Sequence, residues 1–386
     1  MSIIQAIRVS RAPMAGLAIV GVFFGAVAAL VPDIKAAAHA SDAQMGAALI
    51  FSSIGGMMSM YLAPRVGAHL GRRILPLAGA AVVLACFYPI FPTSVPALAL
   101  ALFGMGASVS MLDMSANVRI SVLEDRHALH LMNVNHAAFS FAFAAAAFAT
   151  SLARKTGFGP SAVLPVVAII VAAMTLLMIE DARWTPAKAA EEGADTRSPW
   201  PVILPAAAVL FAAFVSENAT ESWSALFIER TLHALAGDGG FGPMMLGLTM
   251  GVGRLSGQFA AAKLGEAGLV MASAVVAVIG ALVLATSQSP EAAITGIGFL
   301  GLGVAVVVPS ANSILGKLVR PDQRGIAISR AWLIGFTGFF LGPSTIGYVS
   351  QNFGLRVAFL GIACVLASII PATRLMQRRG AKPKLA

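Results

Sequence analysis

The sequence predicts an all-α membrane protein of twelve transmembrane helices, and three observations carry that prediction. Of the 386 residues, 58% are hydrophobic and only 11% are charged. A chain so composed has too little polar surface to wrap a soluble core. A spanning helix needs about 20 mostly apolar residues at 1.5 Å rise each. By that measure, spans fall near 13–32, 43–63, 73–92, 95–121, 130–152, 160–180, 201–228, 241–262, 267–287, 291–318, 325–349 and 355–375. The third observation is charge placement. With both termini on one side, that side collects 20 basic residues and the opposite side five, Lys35, Arg154, Lys155, Arg230 and Arg356. That bias puts the termini and the middle loop in the cytoplasm.

Each element follows in order. The chain opens on basic residues, an apolar run and Ala36-Ala37-Ala38-His39-Ala40, which together mimic a cleavable secretory signal. The run is longer than the usual 7–15 residues of such signals and eleven spans follow it, so it reads as a retained first span. Glycine and proline recur inside spans (Gly21, Gly25, Gly104, Gly106, Pro309, Gly342, Pro343), as lipid-embedded helices tolerate. The longest polar connection, Asp181 to Pro199, carries Lys188, Glu191, Glu192, Asp195 and Arg197. It divides the chain into a six-helix bundle over 1–181, a cytoplasmic linker over 182–199 and a second six-helix bundle over 200–386. A faint internal repeat falls at equivalent spans of the two halves. Ser115-Ala116-Asn117 on the fourth span recurs as Ser310-Ala311-Asn312 on the tenth, and Gly71 after the second span recurs as Gly265 after the eighth. Cys86 and Cys364 lie within spans and imply neither a disulfide framework nor a metal site. The net charge of +9 reports topology and contact with anionic headgroups, so nucleic acid is not expected as a partner.

The residues that could carry chemistry are the polar ones placed where lipid makes them costly. Asp113 and Asn117 sit four apart in an apolar segment, on one helix face that Ser110 and Ser121 extend. A carboxylate at membrane depth costs roughly 2.5–3.5 kcal/mol even on lenient scales, so such groups usually face a polar cavity. The alternative is a polar clamp between helices. Glu217 and Glu221 repeat the spacing on the seventh span, within Ser216-Glu217-Asn218-Ala219-Thr220-Glu221-Ser222-Trp223. Two carboxylates within a turn disfavour double ionisation, which suits a proton carrier. Otherwise the span ends early and Glu221 is solvated.

Counting about 1.5 Å per residue, Asp113 lies about 26 Å from the outer start of its span and Glu217 about 24 Å from the inner start of its own. The two acids therefore serve opposite-facing states and do not form one ion pair. His136 either passes protons or sits at the inner boundary beside Asn133 and Asn135. Arg254 either binds an anionic group or a carboxylate, or reaches toward headgroups. Arg330, nearer the boundary, reads as the latter. Asn312 can hydrogen-bond a polar solute, and Trp223 is an interfacial anchor or a stacking platform. No nucleotide-binding loop, dinucleotide fingerprint or metal-ligand spacing is present in useful form, and Gly301-x-Gly303 reads as helix packing. An enzyme, a cofactor and ATP-driven transport are not expected.

Six plus six spans around a polar central loop resemble the major facilitator superfamily along essentially the whole chain. Leu112-Asp113-x-x-x-Asn117 resembles the Leu-Glu-x-x-x-Asn signature of fucose-permease-like proton-coupled sugar transporters, with aspartate for glutamate. Asn135-His136-Ala137-Ala138-Phe139-Ser140, Glu217 followed by Trp223-Ser224-Ala225-Leu226, and Gly338-x-x-x-Gly342-Pro343-x-x-x-Gly347 resemble a neighbouring bacterial branch. The superfamily's loop signature survives only as Gly71-Arg72-Arg73, with Pro64, Ala68 and His69 at the places of its first glycine, aspartate and arginine. The fifth span lacks the Gly-Pro-rich antiporter motif.

The resemblance implies a monomeric secondary transporter of the bacterial inner membrane, in contact with lipids. It would carry a small polar solute such as a sugar with protons, by alternating access. Asp113, Glu217, Glu221 and His136 would answer to protons; Asn117, Asn312, Arg254, Asn218, Ser140, Trp223 and Arg330 would contact solute. A proton-driven exporter of amphipathic compounds and a membrane sensor or scaffold without flux are the alternatives.

Overall fold

The computed structural model describes residues 3–129, 131–180, 199–320 and 323–380. Residues 181–198, which hold nearly all of the expected linker, lie outside the described residues. In chain order the helices are α1 (Ile3–Val9), α2 (Arg11–Ala37), α3 (Asp42–Leu70), α4 (Ile74–Ala85), α5 (Val95–His127), α6 (Met132–Lys155) and α7 (Pro160–Thr175). The second half continues with α8 (Trp200–Leu226), α9 (Phe241–Thr286), α10 (Pro290–Val304), α11 (Val307–Leu318), α12 (Arg324–Gly335), α13 (Thr337–Ala367) and α14 (Ile369–Gly380).

Twelve spans emerge once two of these helices are divided. α9 turns back at Gly265 (φ 68°) and so holds two spans end to end, whereas α13 turns back at Gly354 (φ 82°), completing the span that α12 opens and opening the one that α14 completes. Gly71 makes the same kind of turn between α3 and α4 at φ 52°. A positive φ is strained for any residue with a β-carbon, so the Gly71 and Gly265 repeat has a structural cause. The tenth span is broken between α10 and α11. Pro309 lacks an N–H and its ring crowds the carbonyl four residues back, at Ala305, where the break falls.

The helices outrun the spans expected from hydropathy. α3 extends seven residues past the expected end at 63, so Pro64, Ala68 and His69 are helical and occupy no loop. Its start is fixed by a reciprocal cap: the Gln44 N–H donates to the Ser41 hydroxyl at 3.2 Å, and the Ser41 N–H donates to Gln44 Oε1 at 2.9 Å. α5 likewise continues to His127. Hydropathy measures the bilayer, whereas a helix stops only where its backbone can be satisfied otherwise.

Close packing within each half depends on small residues, as expected where lipid supplies no hydrophobic drive between helices. A β-carbon on Gly106 of α5 would lie 1.9 Å from the Ser52 carbonyl oxygen of α3. One on Gly303 would lie 2.5 Å from the Ala277 nitrogen, so the Gly301-x-Gly303 pair serves packing. The halves also meet each other. α3 crosses α13 at Gly46 and Gly347, and α6 runs along α9, where Gly247 faces the Phe143 ring and Gly251 the Phe141 ring.

Gly106→Val should lower stability by about 1–3 kcal/mol or prevent folding, since neither backbone can retreat. Gly361→Ala, with open space at its β-carbon, should be neutral. Thermal unfolding of the purified protein, read beside its elution profile, checks both.

Candidate functional site

Polar groups that the sequence scatters over four spans come together in one hydrogen-bonded chain. On α5, the Asn117 amide nitrogen donates to the backbone carbonyl of Asp113 at 3.0 Å, which fixes the amide one turn from the carboxylate. Its oxygen lies 3.1 Å from His136 Nε2 on α6. One turn along α6, the Ser140 hydroxyl donates to the His136 carbonyl at 3.0 Å and accepts from Arg254 Nη1 of α9 at 2.7 Å. Arg254 Nη2 donates to Glu217 Oε1 of α8 at 3.3 Å.

The chain thus crosses from the first half to the second at Ser140 and Arg254. Arg254 and Glu217 are 16% and 19% exposed, so the pair is only partly covered by packing. Arg254 bonds a carboxylate and a hydroxyl inside the protein and does not reach for headgroups; its guanidinium carbon also lies 6.0 Å from the centre of the Phe139 ring. His136 is not isolated at the boundary, because Asn117 holds it. Asp113 and Glu217 have separate partners.

α8 continues to Leu226 and then through a wider helical turn to Thr231, so Glu221 lies inside a helix. It stands one turn beyond Glu217 and is half-buried. Asn218 is buried beside them, its amide oxygen accepting from the Ser222 hydroxyl at 3.3 Å.

Three of the expected residues lie apart from this chain. Trp223 is fully buried, and its indole N–H donates to the Pro343 carbonyl at 3.0 Å. That placement corrects the expectation of an interfacial anchor or a stacking platform: the ring fills the α8–α13 contact. The Arg330 guanidinium sits over the Trp200 ring, 5.4 Å from its centre, at the end of the molecule that carries the chain termini. Asn312 accepts a 3.0 Å hydrogen bond from the indole N–H of Trp332, a residue that sequence reasoning passed over.

Sequence reasoning also missed a set of charges at the end remote from the termini. Arg154 of α6 donates to both oxygens of Asp33 at 2.6 and 2.8 Å and to both oxygens of Glu229, which follows α8. Glu229 is held in turn by the backbone N–H groups of Gly237 and Gly239 at 3.0 and 3.2 Å. Arg230 donates to both Asp42 oxygens at 2.5 Å, and Lys35 lies 3.1 Å from the same carboxylate. Lys155 pairs with Asp238 at 2.7 Å. Three of these pairs join the halves, and among the described residues every ion pair that does so lies at this end. The only signal in sequence was five basic residues on the side that otherwise lacks them, beside acids at helix ends.

Comparison with known proteins agrees with this architecture. The sequence pattern of the Major Facilitator Superfamily matches residues 14–290 and 245–385. An uncharacterised transporter of that type from Yersinia pestis is 27% identical over 369 residues, covering 93% of this chain and 94% of that protein. The crystal structure of a bacterial homologue of the human lysosomal transporter Spinster, inward-facing and unoccupied, superposes with a TM-score of 0.76 at 14% identity, covering 98% of this chain and 99% of the other. A D-xylose–proton symporter superposes with a TM-score of 0.75 at 15% identity over 97% of each chain. With both the fold and the sequence pattern matched along its length, the chain belongs to the Major Facilitator Superfamily of membrane transporters.

Proposed function

We propose that this protein is a proton-coupled symporter of a small polar solute, sugar-like in its hydroxyl content, in the bacterial inner membrane. Both termini lie in the cytoplasm on this reading, and the solute moves by alternating access. The observation that carries it is the polar chain from Asp113 and Asn117 through His136, Ser140 and Arg254 to Glu217, which bridges the halves and keeps its charged end partly exposed. Arg254 is about 21 Å along α9 from Gly240 at the remote end, about 6 Å past the midplane of a bilayer core roughly 30 Å thick. Solute sites in transporters of paired bundles lie near the midplane.

The chemistry follows from the pair at its end. A proton arriving on Glu217 cancels the charge that holds Arg254, and the guanidinium and Ser140 hydroxyl then become available to solute hydroxyls. Asp113, with Asn117 and His136, offers a second proton-accepting group on the opposite wall. Coupling arises because proton and solute act on the same contacts between halves.

The remote-end ion pairs are then a periplasmic latch, and the structure is the state open toward the cytoplasm. Each buried latch charge shared across the halves keeps a partner on its own side: Arg154 has Asp33, Asp42 has Lys35, and Glu229 has two glycine amides. Parting the halves there leaves none of the three unpaired, which removes the several kcal/mol that an orphaned buried charge would cost.

Two outcomes test the reading. In proteoliposomes with an imposed proton gradient, Glu217→Gln should reduce gradient-driven uptake by about tenfold or more while retaining solute exchange, and Asp113→Asn should weaken its pH dependence. Unchanged gradient-driven uptake in both variants would rule out this coupling. For the latch, Glu229→Gln should raise labelling of a cysteine at Ser151→Cys by a membrane-impermeant reagent added outside. Equal labelling with and without the substitution would mean that the pair does not hold that end shut.

A further inference from the structure

The two halves carry matched pairs of an amide and a ring. In the first half, Asn117 Oδ1 lies 3.1 Å from His136 Nε2; in the second, Asn312 Oδ1 accepts from Trp332 Nε1 at 3.0 Å. Both asparagines end a Ser-Ala-Asn triplet, and each ring follows on the next span, 19 and 20 residues later. The device is the same, but the ring differs. One is an imidazole that can carry a proton, the other an indole that cannot.

The indole has no polar need left, because its N–H is satisfied by Asn312. It nevertheless remains 36% exposed. Its neighbours Ala331 and Gly335 are buried, and a β-carbon on Gly335 would lie 2.5 Å from Leu210 Cβ of α8, so Trp332 stands at the edge of the face that α12 packs on α8. One edge of the indole rests on Phe214, ring centres 5.4 Å apart and planes at 60°. Phe214 stands three residues, about one turn, before Glu217 on α8. The amide nitrogen of Asn312 makes no hydrogen bond among the described residues and is only half-buried. An aromatic face and a free amide donor therefore sit together in the second half, and Phe214 links them along α8 to the Arg254–Glu217 pair.

We propose that Trp332 and Asn312 form a ring-recognition subsite that selects a cyclic polyol, a saccharide or cyclitol ring, over an open-chain polyol with as many hydroxyls. The inference rests on the reading of the chain as a transporter of a small polar solute and adds the shape of that solute. The C–H face of the ring lies on the indole, a hydroxyl at its edge accepts from the Asn312 amide, and Arg254 and Glu217 reach hydroxyls further round. The subsite itself is uncharged, so it favours a neutral ring. Its apolar face is rigid and costs little entropy to present, because Asn312 and Phe214 already hold the indole in place.

The test is a thermal-shift and tryptophan-fluorescence titration of the purified full chain with three sets of probes: methyl pyranosides and inositols, the matching alditols, and nucleosides. Cyclic polyols should bind and alditols should not. Trp332→Phe, which keeps an aromatic face and loses the N–H, should hold affinity within about threefold, whereas Trp332→Leu should lose about 30-fold or more. A residue that merely clamps α11 to α12 predicts otherwise: both variants lose the hydrogen bond, both lose stability alike, and neither changes affinity.

If Trp332→Leu does not fold, Asn312→Ser keeps the indole and removes the amide, and it should narrow the preference for cyclic over open-chain probes. Equal binding of rings and alditols, or affinity indifferent to Trp332, overturns this subsite and leaves the transporter reading intact. Binding of nucleosides alone overturns the polyol ring in favour of a planar base. No binding by any probe removes the sugar-like solute of the proposed function, and this subsite with it.

Discussion

A bilayer core offers no hydrogen bonds, so every charge within or beside it must be answered by the protein itself. Arg154 shows how far the fold depends on that constraint. Its side chain is 2% exposed, and its guanidinium makes paired bonds to Asp33 at the end of α2 and to Glu229 after α8. Three spans from two halves of the chain are tied at that one group. Removing both carboxylates from such a buried fork would leave the guanidinium uncompensated, which typically costs several kcal/mol. Arginine suits the place because its planar fork serves two carboxylates at once, which a lysine ammonium does less well.

The centre of the molecule follows the same rule with weaker terms. Where Arg154 has two carboxylates in paired contact, Arg254 has a single 3.3 Å contact to Glu217 and a hydroxyl. The geometry ranks the two arginines: the remote-end fork resists, and the central pair yields. Partial exposure of both central partners weakens the pair further, since water competes for each charge. A contact of that strength is suited to being exchanged for a solute hydroxyl or cancelled by a proton, while the halves stay registered by glycine contacts such as Gly46 against Gly347.

How much of this was legible in sequence depends on the range of each interaction. Twelve spans could be read because hydropathy is local and the bilayer sets one length for all of them; their ends could not, because capping at Ser41 and turning at Gly71 are backbone matters. The Asp113–Asn117 stripe could be read from a spacing of four. The His136–Asn117 bond could not, because it joins two helices whose rotation no spacing reports. Arg154 was counted only as a topology signal, since its partners lie 121 and 75 residues away. Trp332 was overlooked because an aromatic residue in an apolar span ordinarily reads as core; only its residual exposure beside Asn312 sets it apart.

The repeat has a further consequence. Ser-Ala-Asn is buried alike in the two halves, with Ser115 and Ser310 nearly covered, Ala116 and Ala311 fully so, and both asparagines turned to a ring on the next span. What differs is what surrounds the amides: Asp113 stands one turn before Asn117, whereas Val308 stands one turn before Asn312. Two walls with the same scaffold thus present a titratable imidazole beside a carboxylate on one side and an uncharged indole on the other. A symmetric pair of walls would bind either a proton or a solute twice. On the proposed reading, divergence at two positions of a shared motif lets one wall answer to pH and the other to ring shape, with Arg254 and Ser140 as the contact through which each is felt by the other.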